Sequence, residues 1–246
     1  MDLMYILGKG SKHDNIELRW SLRSISMHCK DIDRVFVVGE DPGFLSDQVV
    51  YVKCDDVHDH RHKNMLYKIQ YCVEHTDIGI KDDLFAVSSD DIFVLKDFRL
   101  ETLPFYHRKD KIRDNKQFIK NPQSYQMAMY MTNLFLRWHK LDTVNYAVHA
   151  INLYSRCVVL NNKELICKSY QSNLGCEPSC LLENLYVRDH KVNDLIFNDR
   201  KLDKYEDGIL KQLQGRFCFS IGDDAMVPEF ISQMNLLYNQ KSVYEI

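Results

Sequence analysis

Leu84-Phe85-Ala86-Val87-Ser88-Ser89-Asp90-Asp91-Ile92-Phe93-Val94-Leu95 is the stretch on which the fold turns. Two short apolar runs flank a polar bend. Runs of this length, bounded by turn residues, read as buried strands. Adjacent carboxylates at the end of a buried strand are costly unless a cation or hydrogen-bond donors compensate them. Asp90 and Asp91 are therefore candidate ligands for Mg²⁺ or Mn²⁺, hard cations that prefer carboxylate oxygen. The alternative is a turn whose Asp side chains bond local backbone N–H groups.

Outward toward the N-terminus, strands and helices alternate. Met4-Tyr5-Ile6-Leu7 is an apolar run that enters the turn Gly8-Lys9-Gly10. Leu18, Leu22, Ile25 and Cys29 are spaced four, three and four apart, the stripe of a helix. Arg34–Gly39 and Val49–Val52 read as strands, and Met65, Ile69, Cys72 and Val73 mark a second helix. This order predicts an α/β fold with a mainly parallel, Rossmann-like sheet flanked by helices. Ligands of such sheets bind beyond the carboxyl ends of the strands, which is where Gly8–Lys12 and Ser88–Asp91 fall.

The second half is less regular and more helical. Met127, Tyr130, Leu134 and Trp138 form a stripe, more simply core than a ligand site. Phe217–Ile221 reads as a strand, and Phe230, Met234 and Leu237 suggest a last helix. Between Asn145 and His190 no clear period emerges. The chain reads as a single domain over 1–246, with any division near Lys96–Thr102, giving halves 1–98 and 99–246.

Composition narrows the function classes. The net charge of −3 argues against broad nucleic-acid binding, which draws on Lys and Arg. Between Arg108 and Lys120, however, six Lys or Arg residues stand against Asp110 and Asp114, a patch that suits an anion or a solvated loop. Eight cysteines with no signal peptide fit a reducing, cytoplasmic setting, and Cys29, Cys72 and Cys218 sit in apolar runs as small hydrophobes. Cys167, Cys176, Cys180 and His190 match no common zinc spacing. No stretch approaches the ~20 apolar residues needed to span a bilayer.

Other residues join the acidic bend as candidates. Gly8 lets the backbone approach a ligand closely, and Lys12 could neutralise phosphate. Arg19 and Arg23, four apart, share a helical face and could fork onto phosphate oxygens or pair with Glu17 and Asp31.

Taken together, these segments resemble the Stealth-type and capsular-polysaccharide transferases, relatives of the GT-A glycosyltransferases. The family pattern Asn-Glu-Leu-Arg-Tyr-Ser-Leu-Arg-Ser-Ile is matched by Asn15-Ile16-Glu17-Leu18-Arg19-Trp20-Ser21-Leu22-Arg23-Ser24-Ile25, with one insertion and Trp for Tyr. Met4–Gly10 and Arg34–Gly39 resemble its first strands. Its Asn-Asp-Asp before an apolar pair is matched by Ser89-Asp90-Asp91-Ile92-Phe93. Tyr146-Ala147-Val148-His149 resembles a segment with a functional His, although Ile151 stands where Pro is usual. Phe219-Ser220-x2-Asp223-Asp224 and Lys241-Ser242-Val243-Tyr244-Glu245 resemble closing motifs of small bacterial and phage members. The clear match runs over residues 3–95.

The resemblance implies a GT-A-like glycosyltransferase with a nucleotide-sugar donor, UDP most often, and Mn²⁺ or Mg²⁺ as cofactor. Residues 1–98 would hold the donor and 99–246 a hydroxyl acceptor. The nucleotide is expected against Leu7, Gly8 and Lys12, with Arg19, Arg23 and Asp90 nearby. Asp91, assisted by Asp90, would hold the metal, since Ser89 replaces the usual first ligand. His149 and Asp224 are the candidate bases. The expected acceptor is a bacterial surface glycan or a hydroxymethylated base of phage DNA, in the host cytoplasm for a phage protein. Sugar-phosphate transfer and a non-catalytic binding role are the alternatives.

Overall fold

The computed structural model describes residues 1–9, 11–75, 79–114, 121, 124–171 and 175–246. Gly10 of the first turn, and Lys116 and Lys120 of the basic patch, lie outside the described residues.

The apolar runs of the first half become β1 (Leu3–Leu7), β2 (Val35–Gly39), β3 (Val49–Lys53), β4 (Leu84–Ser88) and β5 (Ile92–Val94). The two periodic stripes become α1 (Ile16–His28) and α2 (Arg61–Glu74). There follow β6 (Phe105–His107), α3 (Tyr125–Trp138), β7 (Asn152–Ser155), α4 (Arg156–Asn161), α5 (Lys163–Tyr170) and α6 (Pro178–Asp189). The chain ends with β8 (Asp194–Ile196), β9 (Lys201–Leu202), α7 (Ile209–Gln212), β10 (Cys218–Ile221) and α8 (Pro228–Leu237).

The central sheet has the order β3-β2-β1-β4-β7. The first four strands are parallel and β7 runs antiparallel to β4. A mainly parallel sheet needs both faces covered, which explains the almost unbroken burial of β1, β2 and β4. At the sheet's carboxyl edge, Gly39 stands opposite Leu7 with φ +138°, and a Cβ there would come within 1.9 Å of the Leu7 carbonyl oxygen. Only glycine fits. Beside it Lys68, 2% exposed, reaches from α2 to donate to the Leu7 carbonyl at 2.8 Å and pairs with Asp56 at 2.6 Å.

After the acidic bend, β5 leaves this sheet. It pairs antiparallel with β10, which pairs in parallel with β9. β6 and β8 pair in a third, two-stranded sheet, but the central sheet and the β5-β10-β9 sheet each combine strands from either side of residue 98. A second apolar cluster forms here around Trp20, which meets Phe93 and Phe230 edge-on and donates its indole N–H to Asn235.

Helix α1 bridges the two cores. Leu18, Leu22 and Ile25 join the main cluster, while Trp20 joins the other. Its buried serines grip β5. Ser21 Oγ donates to the Ile92 carbonyl at 2.6 Å, and Ser24 Oγ accepts from the Val94 amide at 3.1 Å. The serines of the Trp20–Ile25 motif therefore fix the strand that carries the acidic bend.

In α3 the buried face differs from the expected stripe. Ala128, Thr132, Asn133 and Leu136 face inward, whereas Trp138 is 84% exposed. Polar side chains explain the offset. Thr132 and Asn133 find buried partners in the Ala128 carbonyl, the Glu177 amide and the Ile112 carbonyl. Among the described residues, no helix is long and apolar enough to cross a membrane.

Candidate active site

Beyond the carboxyl end of β4 lies a cavity of about 410 Å³. Ser88, Ser89 and Asp91 form one wall, His149 and Lys201 another, and Asn152, Tyr154, Glu177 and Ser179 a polar third. Asp91 and His149, far apart in sequence, thus face one space.

The bend is held from both sides. The Ile92 amide donates to the Ser89 carbonyl, closing the turn, and the Ile221 amide of β10 donates to the Asp91 carbonyl, each at 3.3 Å. The carboxylates accept backbone N–H groups of the bend itself, which pull their pKa down, but those bonds do not offset burial. Neither Asp90 nor Asp91 forms an ion pair among the described residues. Burial, the Asp91 charge and Glu17 push the Asp90 carboxyl up to about 7. Burial also pushes Asp91 up, against the pull of His149 and Lys201. Asp91 lines the cavity, whereas Asp90 is close enough to Tyr5 to add to burial in raising its hydroxyl.

His149 is oriented through its other ring nitrogen. Its Nδ1 lies 2.8 Å from Asp199 Oδ2, and its backbone N–H donates to Asp199 Oδ1 at 3.1 Å. A carboxylate only accepts, so the proton sits on Nδ1, and Nε2 is the basic position. Arg108 completes the chain, with Nη2 2.6 Å from Asp199 Oδ2 and Nε donating to the Ala147 carbonyl. Burial alone would raise Asp199, but the bond from His149 and the charges of His149 and Arg108 outweigh it and hold the carboxyl below its usual range.

On the back wall, Glu177 caps α6, accepting from the Cys180 amide at 2.8 Å. Asn152 donates to Ser179 Oγ, which also lies 3.0 Å from the Tyr154 hydroxyl. His62, buried on α2, is depressed to about 3 by burial and the nearby Arg61 charge, so it is neutral.

The other candidates from the sequence fall elsewhere. Arg23 forks onto Glu245, with Nε and Nη2 at 2.9 and 2.7 Å, and gives Nη1 to the Tyr238 carbonyl. Arg19 lies over the Phe44 ring at 3.8 Å and touches Glu245 at 3.4 Å. The forked face of Arg23 that would meet phosphate is therefore taken by a carboxylate, and neither Glu17 nor Asp31 is the partner. Asp31 instead caps the turn at Leu100 and Glu101. Lys12, exposed, pairs with Asp223 at 2.5 Å. Leu7 ends β1, its carbonyl held by Lys68, next to Ile6 of the cavity wall, and Gly8 follows it. Asp224 is exposed in a different hollow with Lys204 and Tyr205, and Val227 rather than Asp224 is the N-cap of α8. The structure does not bring Asp224 to Asp91, because the turn after β10 directs it away from that wall.

Asp199, Arg108, Lys201, Glu177 and Asn152 were not singled out in the sequence as members of this site. Arg108 carried a signal as the start of the basic patch. Asp199 carried none, lying in an irregular link between two very short strands. Among the described residues, no group of three or more His, Cys, Asp or Glu side chains could hold a metal, and Cys167, Cys176, Cys180 and His190 form no such site.

Comparison with protein-family models gives no match, and no curated protein matches the chain.

Proposed function

We propose that this protein is a glycosyltransferase that moves a sugar from a nucleotide-sugar donor, UDP-linked by the resemblance of residues 3–95, to a hydroxyl acceptor, with Mn²⁺ or Mg²⁺ as cofactor. One observation carries the reading. Two adjacent carboxylates without ion-pair partners among the described residues share the end of β4, and Asp91 lines one cavity with a histidine whose Nδ1 is held by Asp199.

The residues fit a divalent cation. Both carboxyls are pushed up by burial and await positive charge. Mg²⁺ characteristically uses one or two protein carboxylates and completes its shell with water and substrate phosphate, so the lack of a third protein ligand is no obstacle. Asp91 would hold the ion, with Asp90 beside it. Bound there, the ion would stabilise negative charge on the departing diphosphate as a Lewis acid.

The chain's own groups do the rest. His149 Nε2 takes the proton of the acceptor hydroxyl as that oxygen attacks the sugar carbon. Asp199 holds the imidazole tautomer and stabilises the imidazolium that results. Arg108 keeps Asp199 ionised and in place. The polar wall of Asn152, Ser179 and Glu177 offers partners for sugar hydroxyls. Lys201, beside Asp91, adds positive charge where the leaving group develops negative charge.

The test is incubation with a panel of UDP-, GDP- and dTDP-sugars and Mn²⁺, with mass analysis of donor breakdown and of products formed on saccharide acceptors. Metal-dependent release of the nucleoside diphosphate is expected. Release of the nucleoside monophosphate, with phosphorus retained in the product, would mean sugar-phosphate transfer, and no turnover with any donor would contradict the reading.

A further inference from the structure

A second, larger cavity of about 630 Å³ adjoins the first. Tyr125 lines both. Asp199 lines the larger one while holding His149 in the smaller. The two cavities meet at Tyr125, so a molecule seated in the larger one and extending past Tyr125 enters the space that His149 lines.

Its charge is distinctive. Arg108, Lys109, Lys111 and Arg113 line it against Asp110 and Asp199, in a chain whose net charge is −3. Two of these cations are already engaged, Arg108 with Asp199 and Lys111 with Asp142. Lys109 and Arg113 are exposed and form no ion pair among the described residues. Aromatic walls accompany them: Tyr125, Tyr130 and Phe197. Flat aromatic faces beside two available cations suit a ring with an anionic substituent. Duplex DNA would need a long basic surface with many phosphate contacts. This pocket is concave, of a size for one or two sugar rings, and offers two.

We propose that the acceptor is an acidic saccharide, its carboxylate or phosphate held by Lys109 and Arg113 and its ring laid on the tyrosine wall, so that a hydroxyl reaches His149. This deepens the glycosyltransferase reading and rests on it for the word acceptor; the anion site itself does not.

Calorimetry at low salt with a uronic-acid tetrasaccharide, a neutral cello-tetraose and a short DNA duplex tests it. Wild-type protein should bind the acidic sugar about tenfold or more tighter than the neutral one. The double variant Lys109→Gln, Arg113→Gln should lose that preference, and Arg113→Lys should keep most of it. The UDP–Mn²⁺ response of the double variant should match wild type. Equal binding of both sugars, undiminished acidic-sugar binding by the double variant, or binding of the duplex alone would each overturn the proposal. Acidic-sugar binding that persists without any UDP–Mn²⁺ response in wild type would support the anion site while contradicting transfer.

Discussion

Glu245 and the Asp90–Asp91 pair hold their carboxylates in opposite ways. Glu245 is strapped under α1, its side chain fully covered, and takes Arg23, Arg19 and both the amide and hydroxyl of Ser242. Asp90 and Asp91 are half-buried at the end of β4 with no ion-pair partner among the described residues. Burial acts on all three in the same direction. In Glu245 the bonds from Arg23 and Ser242 outweigh it and hold the carboxyl below its usual range. In Asp90 and Asp91 it prevails. A buried charge with its partners built in is a fastener; one without them is destabilising unless something binds.

The sharpest way to break the comparison is to neutralise each kind. Asp91→Asn should cut transfer by about a thousandfold, the scale of losing a principal electrostatic stabiliser. The same change should raise the melting temperature of the ligand-free protein by roughly 2–4 °C, since relieving a functional strain is worth about 1 kcal/mol. Glu245→Ala should do the opposite. Leaving the half-buried Arg23 with only the Tyr238 carbonyl costs about 2 kcal/mol, a fall of roughly 4–8 °C, while kcat at low temperature stays near wild type. A thermal scan and a rate on each variant settle both.

The pH dependence follows with a definite sign. Because the Glu245 carboxyl is lowered in the folded chain, its stabilising contribution is complete above its ordinary value of 4.5 and is lost as pH falls through the lowered one. The melting difference between wild type and Glu245→Gln should be level above about pH 5 and shrink below pH 4. A difference that grew on acidification would contradict the strap.

Smaller effects sharpen the picture. Asp199→Asn should lower kcat by about a hundredfold with the donor KM unchanged, because it disturbs the His149 tautomer and not the donor. Ser24→Ala should cost about 1 kcal/mol by freeing the Val94 amide of β5, measurable by denaturant unfolding.

The first half was legible because its signals are local. Period-four stripes and short apolar runs gave β1, α1, β2, α2 and β4 and put the acidic bend at a strand end. The α1 motif and the closing motif, both marked by the resemblance, meet each other through Glu245, a contact 222 residues apart that neither motif announces. His149 was marked and Asp199 was not, since nothing in an irregular link distinguishes an orienting carboxylate from a solvated one. The blur from Asn145 to His190 also has a cause. Residues 178–185 of α6 are buried on every side, and Ser179, Glu183 and Asn184 are buried among the apolar ones, so no apolar stripe stands against an exposed polar face. The offset in α3, with Trp138 outward, shows tertiary hydrogen bonds at Thr132 and Asn133 overruling apolar periodicity.

The central claim is that the β4 carboxylates await a cation and a diphosphate. Calorimetric titration of Mn²⁺ into wild-type protein and Asp91→Asn, each with UDP present, tests it most directly. The account predicts saturable binding of one Mn²⁺ per chain that depends on UDP and disappears in the variant. Heat indistinguishable from dilution in wild-type protein, or the same isotherm in both, would contradict it.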